Sequence, residues 1–90
     1  MKDPVDQKTI GKFLEELGEC TAAASRCFIQ GIDEREPVTG KLNREWLEEE
    51  IADVLANIEL VGKRFGLDQK ATGERVARKI AHLRKWHSMA

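Results

Sequence analysis

Long apolar runs are missing from this 90-residue chain, and with them any stretch of the roughly 20 apolar residues that a membrane-spanning helix requires. The opening Met1-Lys2-Asp3-Pro4-Val5-Asp6 has no apolar core of the signal-peptide kind, so a cytoplasmic protein with no membrane partner is expected. Cysteine is scarce. Cys20 and Cys27 stand seven apart, and on a helix that spacing puts their α-carbons about 10 Å from each other, too far for a bridge within the chain. Both read as small thiols beside an apolar stripe. Neither sign of charge dominates: 15 bases against 16 acids leave a net charge of -1, which gives no global attraction to nucleic acid. The two prolines, Pro4 and Pro37, fall in stretches read as an N-terminal arm and a loop.

What is present is helical pattern. With 41% hydrophobic and 34% charged residues the composition is that of a folded soluble domain, and 90 residues make one small domain, 1–90. A single core of that size is thin, so burial between chains is expected. After an arm over residues 1–7, the spacing of Ile10, Phe13, Leu14, Leu17, Thr21, Ala24 and Phe28 predicts a first helix over 8–30, stopped at Gly31. Gly18 interrupts it beside Glu16 and Glu19, where a close approach of backbone or ligand is one explanation and tolerated weakness another. Residues 31–42 read as a loop long enough to serve as a lid. A second helix is predicted over 43–65, with Asn43 as its N-cap, and a third over 68–87, capped by Asp68 and turning Val76, Ile80 and Leu83 inward. The fold class is therefore all-α, three main helices per chain.

The acids carry the chemistry. Glu16 and Glu19 are three apart on the first helix, and Glu50 and Asp53 are three apart on the second, each pair offset from an apolar stripe. If the helices associate through those stripes, the four carboxylates converge along one edge, where they repel unless a cation sits among them. Carboxylates without histidine or cysteine ligands suit Mg²⁺ or Mn²⁺, because hard cations prefer oxygen. Such ions bridge phosphate oxygens and activate water, which makes hydrolysis of a phosphoanhydride the natural reaction.

Charge is unevenly spread along the chain. From Glu45 to Glu59 there are six acids and no base, whereas from Lys70 to Lys85 there are six bases and one acid. Arg75 and Lys79, one turn apart on the third helix, become triphosphate contacts if that helix lies on the acidic pair; bases near a helix C-terminus are also favoured by the helix dipole alone. Trp46 and Asn57 share the face of Glu50 and Asp53. They are the candidates for contacting base or sugar, although a tryptophan at such a position more often merely seals an interface. His82 and His87 have no partner at metal spacing other than each other.

Glu15-Glu16-Leu17-Gly18-Glu19 followed by Glu50-Ile51-Ala52-Asp53 resembles the EExxE and ExxD pattern of the MazG-like all-α nucleoside triphosphate pyrophosphohydrolases, and the similarity runs from about Gly11 to Trp86. The resemblance implies a helical-bundle homodimer or homotetramer, Mg²⁺ dependence, and cleavage of NTP or dNTP between the α and β phosphates to give a monophosphate and pyrophosphate. By position it implies Glu16, Glu19, Glu50 and Asp53 as metal ligands, with Glu15 an auxiliary acid of the catalytic group. Two other readings stand beside it: a module of the same fold that holds nucleotide or metal without turnover, and a helical scaffold whose acids only solvate it.

Overall fold

The computed structural model describes residues 1–88. Among them the chain is all-helical: α1 spans Pro4–Gln30, α2 spans Asn43–Phe65 and α3 spans Gln69–Trp86, with no strand beyond a single antiparallel bridge between Arg35 and Leu42. None of the three helices is long and apolar enough to cross a membrane.

The N-terminal arm does not exist as such. Asp3 Oδ1 accepts from the backbone N–H groups of Val5 and Asp6, and Pro4 occupies the first turn, where its missing N–H and fixed φ cost nothing, so α1 starts at Pro4 rather than at residue 8. The second helix begins at 43 as expected, but Asn43 does not cap it. Leu42 is the N-cap and makes no side-chain cap bond. Asn43 is fully buried and turns its amide back onto the end of α1, donating to Gln30 Oε1 and Gly31 O. Gly66, in the left-handed conformation at φ 59°, ends α2, and Asp68 caps α3 through Ala71 N.

α1 and α2 form an antiparallel hairpin. Asn43 ties one end, and Arg64 ties the other by donating to Asp6 Oδ1 at 2.8 Å and Asp3 Oδ1 at 3.3 Å. The seam between them is not the apolar stripe that the sequence spacing favours. Phe13, Glu16, Cys20, Ala23 and Cys27, at alternating steps of three and four, are buried or half-buried, and Asn43, Leu47, Glu50, Val54, Asn57 and Val61 face them from α2. Two of these seam positions are glutamates. The large apolar residues one position on, Leu14, Leu17, Ile51, Leu55 and Ile58, stay exposed.

The third helix does not lie on the hairpin. α3 packs along neither α1 nor α2, and Val76, Ile80 and Leu83, expected to point inward, remain substantially exposed. The result is a flat protomer of 41 × 35 × 16 Å, with a radius of gyration of 16.0 Å against about 12 Å for a compact chain of this length.

Candidate metal centre

On α1 the residues Glu16, Glu19, Ala23 and Arg26 follow one another at steps of three, four and three. On α2 Trp46, Glu50, Asp53 and Asn57 do so at steps of four, three and four. Because the helices run antiparallel, the two rows meet: the Glu16 end faces Glu50 and Asp53, and the Arg26 end faces Trp46. Ala23, only 3% exposed, keeps the two backbones close at the middle of the row.

Carboxylate oxygens of Glu16, Glu50 and Asp53 lie within 4.8 Å of one another. Their burial is graded, from Glu16 at 7% exposed, through half-buried Glu50, to exposed Asp53, so the group opens to solvent on the Asp53 side. Glu16 Oε2 and Glu50 Oε2 are buried without a hydrogen-bond partner. A buried carboxylate oxygen left unpaired is costly, and the cost falls away if a cation enters. Glu16 Oε1 has one such neighbour, Lys12 Nζ at 3.3 Å, which also reaches Glu15 Oε1 at 3.3 Å. Glu19 stands at the margin of the group. The negative charge of Glu16 beside it, with burial and the charge of Glu50, holds its carboxyl above the usual range.

The remaining candidates divide. Glu15 is exposed and paired with Lys12. Asn57 is half-buried and donates Nδ2 to the carbonyl of Asp53 at 2.8 Å, within its own helix. Arg75 and Lys79 line shallow surface grooves on α3 with no acid among the lining residues, because that helix projects from the hairpin; the chain does not bring them to its own acids.

Trp46 is where the sequence reading departs most from the structure. Its ring carries two cations, the Arg26 guanidinium carbon 5.0 Å and Lys41 Nζ 4.8 Å from the centroid, and its indole N–H is buried without a partner. Arg26 was overlooked in the sequence, although its position seven beyond Glu19, two helical turns along the same row, was there to be read.

Lys41 is delivered by a loop that is braced throughout rather than free to act as a lid. The Glu36 carboxylate accepts from Thr39 N at 2.6 Å and Val38 N at 3.1 Å, which together hold it below the usual carboxylate range. Gly40 N donates back to Glu36 O, Arg35 donates to Gly40 O, and Arg44 pairs with Asp33. Comparison with protein-family models, with curated proteins and with solved structures finds no match for this chain.

Proposed function

We propose that this chain is a Mg²⁺-dependent nucleotide pyrophosphohydrolase of the MazG-like kind, cleaving NTP or dNTP between the α and β phosphates to a nucleoside monophosphate and pyrophosphate. The observation that carries the reading is the Glu16, Glu50 and Asp53 group, drawn together between two helices with two buried oxygens unpaired. An all-oxygen donor set of this kind fits a hard divalent ion, Mg²⁺ or Mn²⁺, and offers nothing to a soft one.

A bound Mg²⁺ would supply neutralisation of phosphate charge and a water that is nucleophilic near neutral pH. The chain's own part is to hold and to position. Glu16 and Glu50, fixed in the seam, would hold an ion together with Asp53 on the open side of the group, and this reading adds Glu19 beside them as a fourth acid. Glu15 and Lys12 form an exposed pair at the edge, where a change of partner by Lys12 would free Glu16 Oε1. Asn57, one turn beyond Asp53, is the residue this reading assigns to the sugar or base.

The reading includes a second copy of the chain. The accessible surface is 7132 Å², against about 5,300 Å² expected for a folded monomer of 10.2 kDa. On antiparallel helices, residues one position beyond the seam fall on the same side, so Leu14 and Leu17 of α1 join Ile51, Leu55 and Ile58 of α2 on one broad apolar face, opposite Glu19, Arg26 and Asp53. A face of that size calls for a helical partner, and pairing through it as a dimer or tetramer leaves the acid side open to substrate.

The test is pyrophosphate release from a panel of NTPs and dNTPs with Mg²⁺, comparing wild type with Glu50→Ala and Asp53→Ala. Turnover by wild type and its loss in both variants is expected; equal turnover in all three, or none by wild type on any substrate, would overturn the reading. The projection of α3, which holds Arg75 and Lys79 away from the acids, favours one competitor, a module that binds Mg²⁺–nucleotide without turnover. Calorimetry showing Mg²⁺-linked nucleotide affinity and no product would select it.

A further inference from the structure

The acid group accounts for a metal, but the α3 bases expected to meet the phosphates of its ligand are held elsewhere. Beside the acids lies a cleft of about 360 Å³ whose walls include Glu19 and Glu50 at one end and Arg26 and Trp46 at the other. Among the described residues, Arg26 is half-buried yet makes no ion pair and no hydrogen bond. Glu36, an acid that its charge reaches, has its carboxylate occupied by Val38 N and Thr39 N. The guanidinium carbon lies 5.0 Å from the centroid of the Trp46 ring, and with no hydrogen bond to its N–H groups the fork of an arginine stays available, whereas an ammonium has no such fork.

From these observations we infer that Arg26, held over Trp46, is the phosphate-binding cation of this site, taking the metal-bound polyphosphate at the end of the cleft away from Asp53. The assignment rests on the metal-centre reading above and names which residue of that site meets the phosphates. It also changes the part of Trp46. With Arg26 and Lys41 over its ring, the indole positions cations and is not a free platform for a base. A phosphate oxygen accepting two N–H groups from one guanidinium is a strong, directional contact, and a fixed positive charge opposite the acids stops the polyanion from being repelled by Glu19.

Two measurements on the intact protein test it. The first follows Mn²⁺ uptake alone, by the loss of its free-ion paramagnetic resonance signal, in wild type and Arg26→Gln; equal uptake is expected. The second measures affinity for inorganic pyrophosphate in excess Mg²⁺ by calorimetry. Arg26→Gln is expected to weaken it about tenfold or more, and Arg26→Lys, which keeps the charge and loses the fork, to recover only part of that loss. Pyrophosphate affinity unchanged within about twofold in Arg26→Gln, or a wild type that takes up Mn²⁺ but binds no pyrophosphate, overturns the assignment and leaves the metal centre standing. A wild type that takes up no Mn²⁺ removes the centre, and the assignment with it.

Discussion

The side-chain amide of Asn43 donates to the carbonyl oxygen of Gly31 at 3.0 Å, joining the last turn of α1 to the first residue of α2. The same amide reaches Gln30 Oε1, and the Asn43 carbonyl accepts from Cys27 Sγ at 3.6 Å. This closure fixes how the two helices enter the hairpin. It therefore sets the register in which Trp46 comes to Arg26 and Glu50 to Glu16.

Replacing Asn43 by alanine removes the donor to Gln30 Oε1 and one of the two donors to Gly31 O, and leaves a gap at a fully buried position. A loss of about 1–3 kcal/mol in unfolding free energy is expected, measured by denaturant melts at fixed protein concentration. A loss below about 0.5 kcal/mol would show that the closure is not held by this residue.

Gly18 within α1 and Gly31 at its C-cap are expected to respond in opposite directions. Gly31 sits at φ 109°, and a Cβ there would lie 3.1 Å from Glu34 Cγ, so Gly31→Ala is expected to cost about 1–3 kcal/mol. Gly18 is helical, and an added Cβ meets nothing within 4 Å, so no close approach accounts for it in the protomer. Gly18→Ala is expected to gain about 0.5–1 kcal/mol in the same melts, and a loss instead would place a neighbouring copy against that turn.

Stability against acid should depend on Asp3. The backbone N–H groups of Asp6 and Val5, with Arg64 nearby, hold its carboxyl below the usual carboxylate range. A folded-state value below the unfolded one means that the stabilisation is complete above the unfolded value and is lost as pH falls through the folded value. Asp3→Asn keeps a capping oxygen but removes the charge. Its thermal midpoint is expected to lie below that of wild type at pH 7 and to converge with it below about pH 4; a constant gap down to pH 2 would contradict this.

The apolar face has its own test. Wild type is expected to run as a dimer or larger by light scattering after gel filtration. Leu55→Glu and Ile51→Glu, at positions 60% and 44% exposed in the single chain, are expected to shift it to smaller species or to prevent folding. A wild type that is monomeric at 10.2 kDa across accessible concentrations would remove the second copy from the account.

Much of this arrangement could be read from residues alone, and the rest could not for stated reasons. The bounds of α2 were legible because Gly66 ends a long periodic segment. The start of α1 was missed because Asp3-Pro4 was taken for a loose arm, when it is an N-cap followed by a first-turn proline. Spacing put Glu16 with Glu19 and Glu50 with Asp53 on one face of each helix; their meeting was expected from packing through the apolar stripes, whereas Glu16, Glu50 and Asp53 come together because Glu16 and Glu50 lie in the seam itself. The identity of the seam did not. Amphipathic spacing shows that Leu14, Leu17, Ile51 and Ile58 seek burial but not whether their own hairpin or another chain provides it, and here the hairpin closes on Phe13, Leu47, Val54 and Val61 together with two glutamates and small residues. The placement of α3 was illegible for the same reason: its stripe of Val76, Ile80 and Leu83 names no partner.

The central claim is that Glu16, Glu50 and Asp53 repel one another until a divalent ion joins them, and thermal melts of wild type and Glu50→Gln, each in chelator and in Mg²⁺, test it most directly. In chelator the variant should melt higher, by about 4–8 °C for each kcal/mol of repulsion relieved. In Mg²⁺ at a hundred times its Kd, wild type should gain about 2.7 kcal/mol and the variant little. A wild type indifferent to Mg²⁺ at every concentration, with a variant no more stable in chelator, would contradict it.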